Sequence, residues 1–260
     1  MEKLLTIDHV SMTFGGLKAL DDISFDIHQG EIVGLIGPNG AGKTTLFNCL
    51  TQFYKDYEGT FTLHGETTVD LRDLKVTEVI DAGLARTFQN IELIPDLSIL
   101  DNLLIGAHRS FKDSFAEELL KFPRALKEEK RLKEKADRVL DILGLQVIKD
   151  LYVKGQPYGI LKRVEIARTL MSDPKLIILD EPAAGLNDAE TDQLEQIIQL
   201  IQKEFHVTLL IIEHDMGFVM NVCDRVCAIN FGQFIAIDTP QKIQQNPAVQ
   251  EAYLGRDDDA

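Results

Sequence analysis

A glycine-rich stretch between an apolar run and a helical pattern constrains the fold of this chain more than any other feature. The run Glu31–Ile36 is followed by Gly37-Pro38-Asn39-Gly40-Ala41-Gly42-Lys43-Thr44, and a helix is predicted from Lys43 to Thr51. The glycines allow successive backbone N–H groups to turn inward, and the helix N-terminus adds partial positive charge. The sequence therefore predicts a strand, an anion-binding loop and a helix, which together form one unit of an α/β fold.

The spacing G-x-x-x-x-G-K-[ST] is typical of a loop that binds a nucleoside triphosphate. Backbone N–H groups from Gly37 to Thr45 are expected to surround the phosphates, with Lys43 reaching the β- and γ-phosphates and Thr44 ligating Mg²⁺. The alternative is a glycine-rich turn that precedes a helix by chance. The strand before the loop and the helix after it favour phosphate binding.

A second apolar run ends in two acidic residues. Leu176–Leu179 is predicted to be a buried strand, and Asp180 and Glu181 follow it. Such a strand delivers a carboxylate to the metal beside a phosphate loop, so we expect Asp180 to hold Mg²⁺ and Glu181 to polarise the attacking water. The alternative is an acid pair at a helix N-terminus, stabilised by the helix dipole.

Composition limits the kinds of partner that the chain can have. The 260 residues are 45% apolar and carry a formal net charge of −15, which excludes a general electrostatic affinity for nucleic acid. The sequence has no signal-peptide pattern and no apolar run near the ~18 residues of a membrane helix. We therefore expect a cytosolic protein whose membrane role comes through a partner.

Strand and helix patterns alternate in the second half of the chain. Period-two alternation predicts early strands over Leu4–Thr13 and Lys18–Ile27, and an amphipathic stretch over Lys112–Leu143 predicts two helices divided at Pro123. The remaining predicted elements are strands at Gly59–Leu63, Val207–Ile212, Arg225–Ile229 and Gln233–Ile237, and helices at Gly159–Met171, Glu190–Phe205 and Met216–Val222. This order predicts an α/β core with a parallel sheet, interrupted by a helical lobe.

With these motifs in their order, the chain resembles the ATP-binding cassette (ABC) family. Ala184–Asp188 matches that family's loop at the dimer seam, and His214 matches its switch histidine, which contacts the γ-phosphate. Gln89 matches the glutamine that joins the core to the helical lobe and the metal site. Phe14 lies where family members stack an aromatic ring on adenine.

The resemblance implies a P-loop NTPase core with a mostly parallel sheet, an N-terminal antiparallel β subdomain and an inserted α-helical lobe. It implies one domain, with the core at 1–88 and 172–238, the lobe at 89–171 and a helical tail at 239–260. The implied activity is hydrolysis of ATP with Mg²⁺, catalysed by Glu181, His214 and Lys43.

One family motif departs from its usual sequence. The signature Leu-Ser-Gly-Gly-Gln falls on Gln156–Ile160, where Gly159 alone matches and Pro157 replaces the serine that donates to a partner subunit's γ-phosphate. The start of the following helix, at Tyr158 and Gly159, can still present N–H groups to that phosphate. We therefore predict two unequal ATP sites in a heterodimer.

Longer stretches are similar to the branched-chain amino-acid importer branch of the family. They are Phe14–Leu20, Phe47–Thr51, Asp180–Asn187, Glu213–Met216 and Ala252–Gly255. That branch implies a second ABC ATPase subunit in a hetero- or homodimer, two membrane permease subunits and, indirectly, a periplasmic or extracellular substrate-binding protein. The chain would then act at the cytoplasmic face of the inner (plasma) membrane. The candidate permease-facing segment is 90–104, which is apolar and is predicted to be rich in loops.

Other functions remain open from the sequence. The chain could serve a related system that moves another solute or lipopolysaccharide, because nothing in it touches the transported molecule. A soluble, non-transport ABC ATPase usually carries coiled coils, tandem cassettes or basic patches, which this acidic chain lacks. A regulatory module that binds ATP without hydrolysis fits the altered signature but not the presence of Glu181 and His214.

Overall fold

Two β-sheets organise the part of the chain that the computed structural model describes, which is residues 2–65, 67–87, 91–107 and 123–254. The first sheet has the order β2-β1-β4-β5 and is antiparallel. Its strands are β1 (Lys3–Phe14), β2 (Leu17–His28), β4 (Glu58–Leu63) and β5 (Val69–Asp70). Neighbouring strands alternate buried and exposed residues along much of their length, as expected of a sheet with one wet face.

The second sheet has the order β10-β9-β3-β8-β7-β6, and all its pairs are parallel except β10 with β9. Its strands are β3 (Ile32–Ile36), β6 (Leu84–Arg86), β7 (Leu176–Asp180), β8 (Thr208–Ile212), β9 (Arg225–Asn230) and β10 (Gln233–Asp238). Every residue of β3, β7 and β8 is buried, because helices or the first sheet cover both faces. The parallel register brings the carboxyl ends of β3, β7 and β8 to one edge.

Helices pack on this sheet and form a lobe beside it. In the described ranges they are α1 (Lys43–Leu50), α2 (Val76–Asp81), α3 (Ile99–Gly106), α4 (Pro123–Ile142), α5 (Tyr158–Leu170), α6 (Asp188–Phe205), α7 (Met216–Val222), α8 (Pro240–Gln244) and α9 (Pro247–Leu254). None of the helices found there is long and apolar enough to cross a membrane.

Two apolar clusters stabilise the described chain. One joins the antiparallel sheet, α1 and one face of the parallel sheet, with Phe47 and Phe61 fully buried. The other joins the opposite face of the parallel sheet to the helical lobe, where Val139 and Leu143 of the α4 region pack in the same cluster as Val164 of α5. The lobe is therefore continuous with the core through apolar packing.

The structure differs from one sequence-based expectation and agrees with part of another. The segment 90–104 was expected to be loop-rich, but α3 begins at Ile99, where Ser98 accepts a hydrogen bond from the Asp101 N–H as a helix cap. Pro123 occupies the first position of α4, which tolerates proline because its missing N–H has no helical partner there. Residues 112–122, the other half of the predicted pair of helices, lie outside the described residues.

Candidate functional site

The phosphate loop occupies the edge where β3 ends and α1 begins. Gly40 and Gly42 adopt left-handed backbone angles, with φ of 79° and 102°. A Cβ at Gly42 would lie 2.7 Å from the carbonyl oxygen of Ala19, and one at Gly37 would lie 2.3 Å from that of Ile229. The glycines are therefore required by the backbone angle and by the close approach of neighbouring chain.

The Lys43 side chain extends from the first residue of α1 back into the phosphate loop. Its ammonium donates to the carbonyl oxygens of Gly37, at 2.5 Å, and Pro38, at 3.1 Å. Burial lowers the pKa of Lys43, and the Glu181 carboxylate partly opposes that shift. A positive charge thus lies at the centre of the loop, while Thr44 at the start of α1 is exposed.

Asp180 ends β7 with its carboxylate nearly buried beside the loop. The guanidinium of Arg86, at the end of β6, donates to Asp180 at 2.7 Å and to the side-chain oxygen of Asn48 at 3.0 Å. Both members of the Arg86–Asp180 ion pair are only 12% exposed. Sequence reasoning did not find Arg86, although it lies in the same short stretch as Gln89.

Glu181 and His214 come together although 33 positions of sequence numbering separate them. Glu181 has a left-handed backbone, with φ of 47°, and its N–H donates to the carbonyl oxygen of Ile212 at 3.0 Å. The imidazole Nδ1 of His214 lies 3.8 Å from Glu181 Oε1, and the His214 side chain is 63% exposed. The paired strands β7 and β8 therefore present a carboxylate and an imidazole to the same opening.

Two aromatic rings meet where the end of β1 lies near the segment that follows α1. Phe14, at the end of β1, is 40% exposed and meets Tyr54 edge to face, with ring centroids 5.2 Å apart. Sequence reasoning did not find Tyr54, which follows α1 and carries no motif. An exposed ring held by a neighbour is suited to stacking on a flat base.

The two predicted binding residues of the signature lie on the helical lobe. Tyr158 and Gly159 begin α5, and Tyr158 lies against Gly185, where a Cβ would be 3.3 Å from the Tyr158 ring. Pro157 precedes the helix and gives it no side-chain cap. Gln89 lies outside the described residues.

The donor set fits Mg²⁺ but not a metal held by protein alone. Among the described residues, no group of three or more His, Cys, Asp or Glu could hold a metal ion. Mg²⁺ is commonly bound by one or two protein oxygens together with substrate phosphates, and Asp180 and Thr44 offer a carboxylate and a hydroxyl. The residues present therefore suit a metal that arrives with a triphosphate.

Comparison with known families decides the class of this chain. The profile of the family described as ABC transporter matches residues 20–184. The chain belongs to this family. A second profile, described as branched-chain amino acid ATP-binding cassette transporter, matches residues 235–259.

Curated relatives cover nearly the whole chain. One is the high-affinity branched-chain amino acid transport ATP-binding protein LivG of Salmonella typhimurium. It is 40% identical over 254 residues, which are 98% of this chain and 98% of the relative. Another is 40% identical over 252 residues, covering 97% of this chain and 98% of the relative: the protein BraF of Pseudomonas aeruginosa, which has the same description.

Solved structures agree in fold. The ADP conformation of MJ1267, an ATP-binding cassette of an ABC transporter, is 32% identical and covers 98% of this chain with a TM-score of 0.81. A nucleotide-free cassette of the same kind is also 32% identical, with a TM-score of 0.80. The predicted family, the P-loop α/β fold class and the ATPase class are confirmed.

Removing the Asp180 carboxylate tests the pairing with Arg86. We expect Asp180→Asn to lower the free energy of unfolding by about 1–3 kcal/mol, because a nearly buried guanidinium loses its ionised partner. Urea denaturation of the purified protein measures this change. Asp173→Asn is the control. Asp173 is 69% exposed and pairs with Lys135 at 2.6 Å; Lys135 is only 17% exposed but keeps its hydrogen bond to the Met171 carbonyl oxygen, so this change should cost less than about 1 kcal/mol. Equal costs for both variants would contradict the pairing.

Proposed function

We propose that this chain binds and hydrolyses MgATP as the ATPase subunit of an importer for branched-chain amino acids. The observation that carries the catalytic part is the convergence of Lys43, Asp180, Glu181 and His214 at one edge of the parallel sheet. The substrate class is supported by the branched-chain amino acid descriptions of relatives that align along almost the full chain.

Nucleotide binding begins at the phosphate loop. The N–H groups from Gly37 to Thr45 and the α1 N-terminus surround the phosphates. Lys43 exchanges its bonds with the Gly37 and Pro38 carbonyl oxygens for bonds with the β- and γ-phosphates. Phe14 stacks on the adenine ring, with Tyr54 supporting it from the edge.

Asp180 and the Thr44 hydroxyl would hold Mg²⁺, with Gln89 as a further ligand. The metal supplies charge neutralisation to the β- and γ-phosphate oxygens. Asp180 would hold the metal through a carboxylate to which the Arg86 guanidinium also donates. Arg86 thereby orients the carboxylate at the end of β7.

Hydrolysis uses the pair at the ends of β7 and β8. Glu181 polarises the water that attacks the γ-phosphate in line with the departing β-phosphate oxygen. His214 contacts the γ-phosphate. Its Nδ1 lies 3.8 Å from Glu181 Oε1, so it also helps to orient the Glu181 carboxylate. Lys43 stabilises charge that develops on the phosphate oxygens during transfer.

A second ABC ATPase subunit completes each site in this proposal. Tyr158, Gly159 and the α5 N-terminus face the ATP bound by the partner, while a partner signature faces the ATP bound here. Pro157 offers no hydroxyl and no N–H to that phosphate, which supports unequal sites in a heterodimer. A homodimer would carry the same altered signature twice.

Two permease subunits receive the movement of the lobe. Within the proposed contact segment 90–104, Ile99 and Leu103 are buried in the lobe, whereas Ile94 is 43% exposed. Ile105, one residue beyond the segment, is also 43% exposed. The proposed permease-facing surface therefore consists of Ile94, which precedes α3, and Ile105, near the end of α3. It would face the permease at the cytoplasmic side of the membrane.

Co-purification tests this function. A tagged chain isolated from its native membrane should bring a second ABC ATPase and two permease subunits, and the assembly should bind leucine, isoleucine or valine together with its binding protein. Recovery of a complete transporter specific for another solute, or for lipopolysaccharide, would assign the chain to the alternative substrate class. Recovery without any membrane subunit would favour a non-transport ATPase.

A further inference from the structure

A buried carboxylate beside the site has no part in the mechanism above. Glu213 follows β8 directly and is 1% exposed. Its Oε1 accepts a hydrogen bond from the Ala183 N–H at 2.8 Å, and its Oε2 accepts from the N–H groups of His214 at 3.0 Å and Asp215 at 3.4 Å. One side chain therefore joins the loop after β7 to the loop after β8.

The chemistry of this contact requires an acid. Burial raises the pKa of Glu213, and the backbone N–H groups of Ala183, His214 and Asp215 oppose that rise. A carboxylate accepts hydrogen bonds at both oxygens, whereas an amide would turn its NH₂ group toward one set of N–H donors. The cost of burying a charge here is offset by bonds that a neutral side chain cannot all form.

The two loops joined by Glu213 carry the proposed catalytic pair. Ala183 lies two residues after Glu181, and His214 is the next residue after Glu213. His214 Nδ1 lies 3.8 Å from Glu181 Oε1 and 3.8 Å from Glu213 Oε2. The residues after Ala183 continue into the segment 184–188, so the same bond also fixes where that segment begins.

We propose that Glu213 is a positioning residue for ATP hydrolysis. It holds the loops after β7 and β8 at a fixed separation, so that Glu181 and His214 face the same γ-phosphate, and it touches no nucleotide itself. This inference rests on the proposed roles of Glu181 and His214. It predicts that Glu213 governs the rate of the chemical step and leaves ATP affinity to the phosphate loop.

Glu213→Gln provides the first test, on the chain assembled with its ATPase partner. We expect kcat to fall about 10- to 100-fold, because one loop loses its hydrogen bond and meets an NH₂ group instead. The KM for ATP should stay within about twofold, because Lys43 and the phosphate loop are unchanged. Steady-state phosphate release measures both parameters.

Glu213→Asp keeps the negative charge but removes the hydrogen bond to Ala183 that joins the two loops. The shorter carboxylate can still accept from the nearby N–H groups of His214 and Asp215, in the manner of an Asx turn, but it no longer spans to Ala183. We expect this variant to fold and to keep the loss in kcat. Restoration of wild-type kcat by Asp would overturn the proposal, since the bond to Ala183 would be unnecessary.

Glu31→Gln is the matched control for burial. Glu31 is 4% exposed and accepts from the His28 N–H at 2.6 Å and from Arg225 at 3.0 Å, but it precedes β3 at the opposite end of the sheet. Glu31→Gln should lower the midpoint temperature of thermal unfolding and leave the kcat of the folded protein unchanged. An equal fall in kcat for Glu31→Gln and Glu213→Gln would reduce Glu213 to a residue of stability alone and overturn the proposal.

The outcomes also separate this inference from the proposed function. If Glu181→Gln abolishes turnover while Glu213→Gln retains wild-type kcat, the positioning role fails and the catalytic assignment stands. If Glu181→Gln retains turnover, the catalytic assignment itself fails. If neither Glu213→Gln nor Glu213→Asp folds without ATP, the role is structural and the positioning proposal is wrong.

Discussion

Glu181→Gln is expected to reduce ATP turnover by about 10²- to 10⁴-fold, because the amide cannot polarise the attacking water as a carboxylate does. Nucleotide affinity should be retained, since the phosphate loop and Asp180 are untouched. The variant protein should therefore accumulate with bound ATP. Single-turnover hydrolysis and the ATP content of the purified complex measure the two effects.

Glu204→Gln is a suitable control for that change. Glu204 is 41% exposed and pairs with Arg138 on α4, so its loss should leave turnover at the wild-type rate. The same Glu→Gln change in the partner ATPase tests the asymmetry of the two sites, and it should have the smaller effect. Equal losses from the two subunits would count against unequal sites, and unchanged turnover here would remove Glu181 from the chemistry.

Lys43→Ala is expected to weaken MgATP binding by at least about 100-fold, because the β- and γ-phosphates lose charge-assisted hydrogen bonds from a partly buried ammonium. The carbonyl oxygens of Gly37 and Pro38 also lose their donor, which leaves the inside of the loop without its positive charge. Calorimetric titration with MgATP gives the affinity.

Lys242→Ala controls for the loss of a lysine in general. Its ammonium pairs with Asp238 and is 68% exposed, so its removal should not change ATP affinity. If Lys43→Ala bound MgATP as tightly as Lys242→Ala does, the phosphate loop would not be the nucleotide site.

Local patterns in the sequence predicted the parts of the fold that local chemistry decides. The phosphate loop needs glycine where the backbone is left-handed, at Gly40 and Gly42, so its spacing is visible without a structure. The strands β3, β7 and β8 are short apolar runs because both faces are covered, so the sequence predicted these strands and the acidic residues that end β7. Period-two alternation predicted the strands β1 and β2, and the family resemblance implied the antiparallel subdomain to which they belong.

Contacts between distant positions account for what the sequence did not reveal. Arg86 and Asp180 are 94 positions apart, and β6 spans only the three residues Leu84–Arg86, too short for a periodic pattern. The bond from Ala183 to Glu213 likewise depends on how β7 and β8 pair. In α3, the run Ile99–Gly106 is mostly apolar, and its helical form depends on packing against α5 and on the Ser98 cap.

We propose that ATP hydrolysis at this edge of the sheet drives the inward movement of branched-chain amino acids. Uptake of labelled leucine into proteoliposomes that contain the purified complex tests this claim most directly, with MgATP supplied to the side that bears the cassettes. We predict accumulation with the wild-type chain and a loss of about 10²-fold or more with Glu181→Gln. Rapid ATP hydrolysis without leucine accumulation, or equal accumulation by both complexes, would contradict the account.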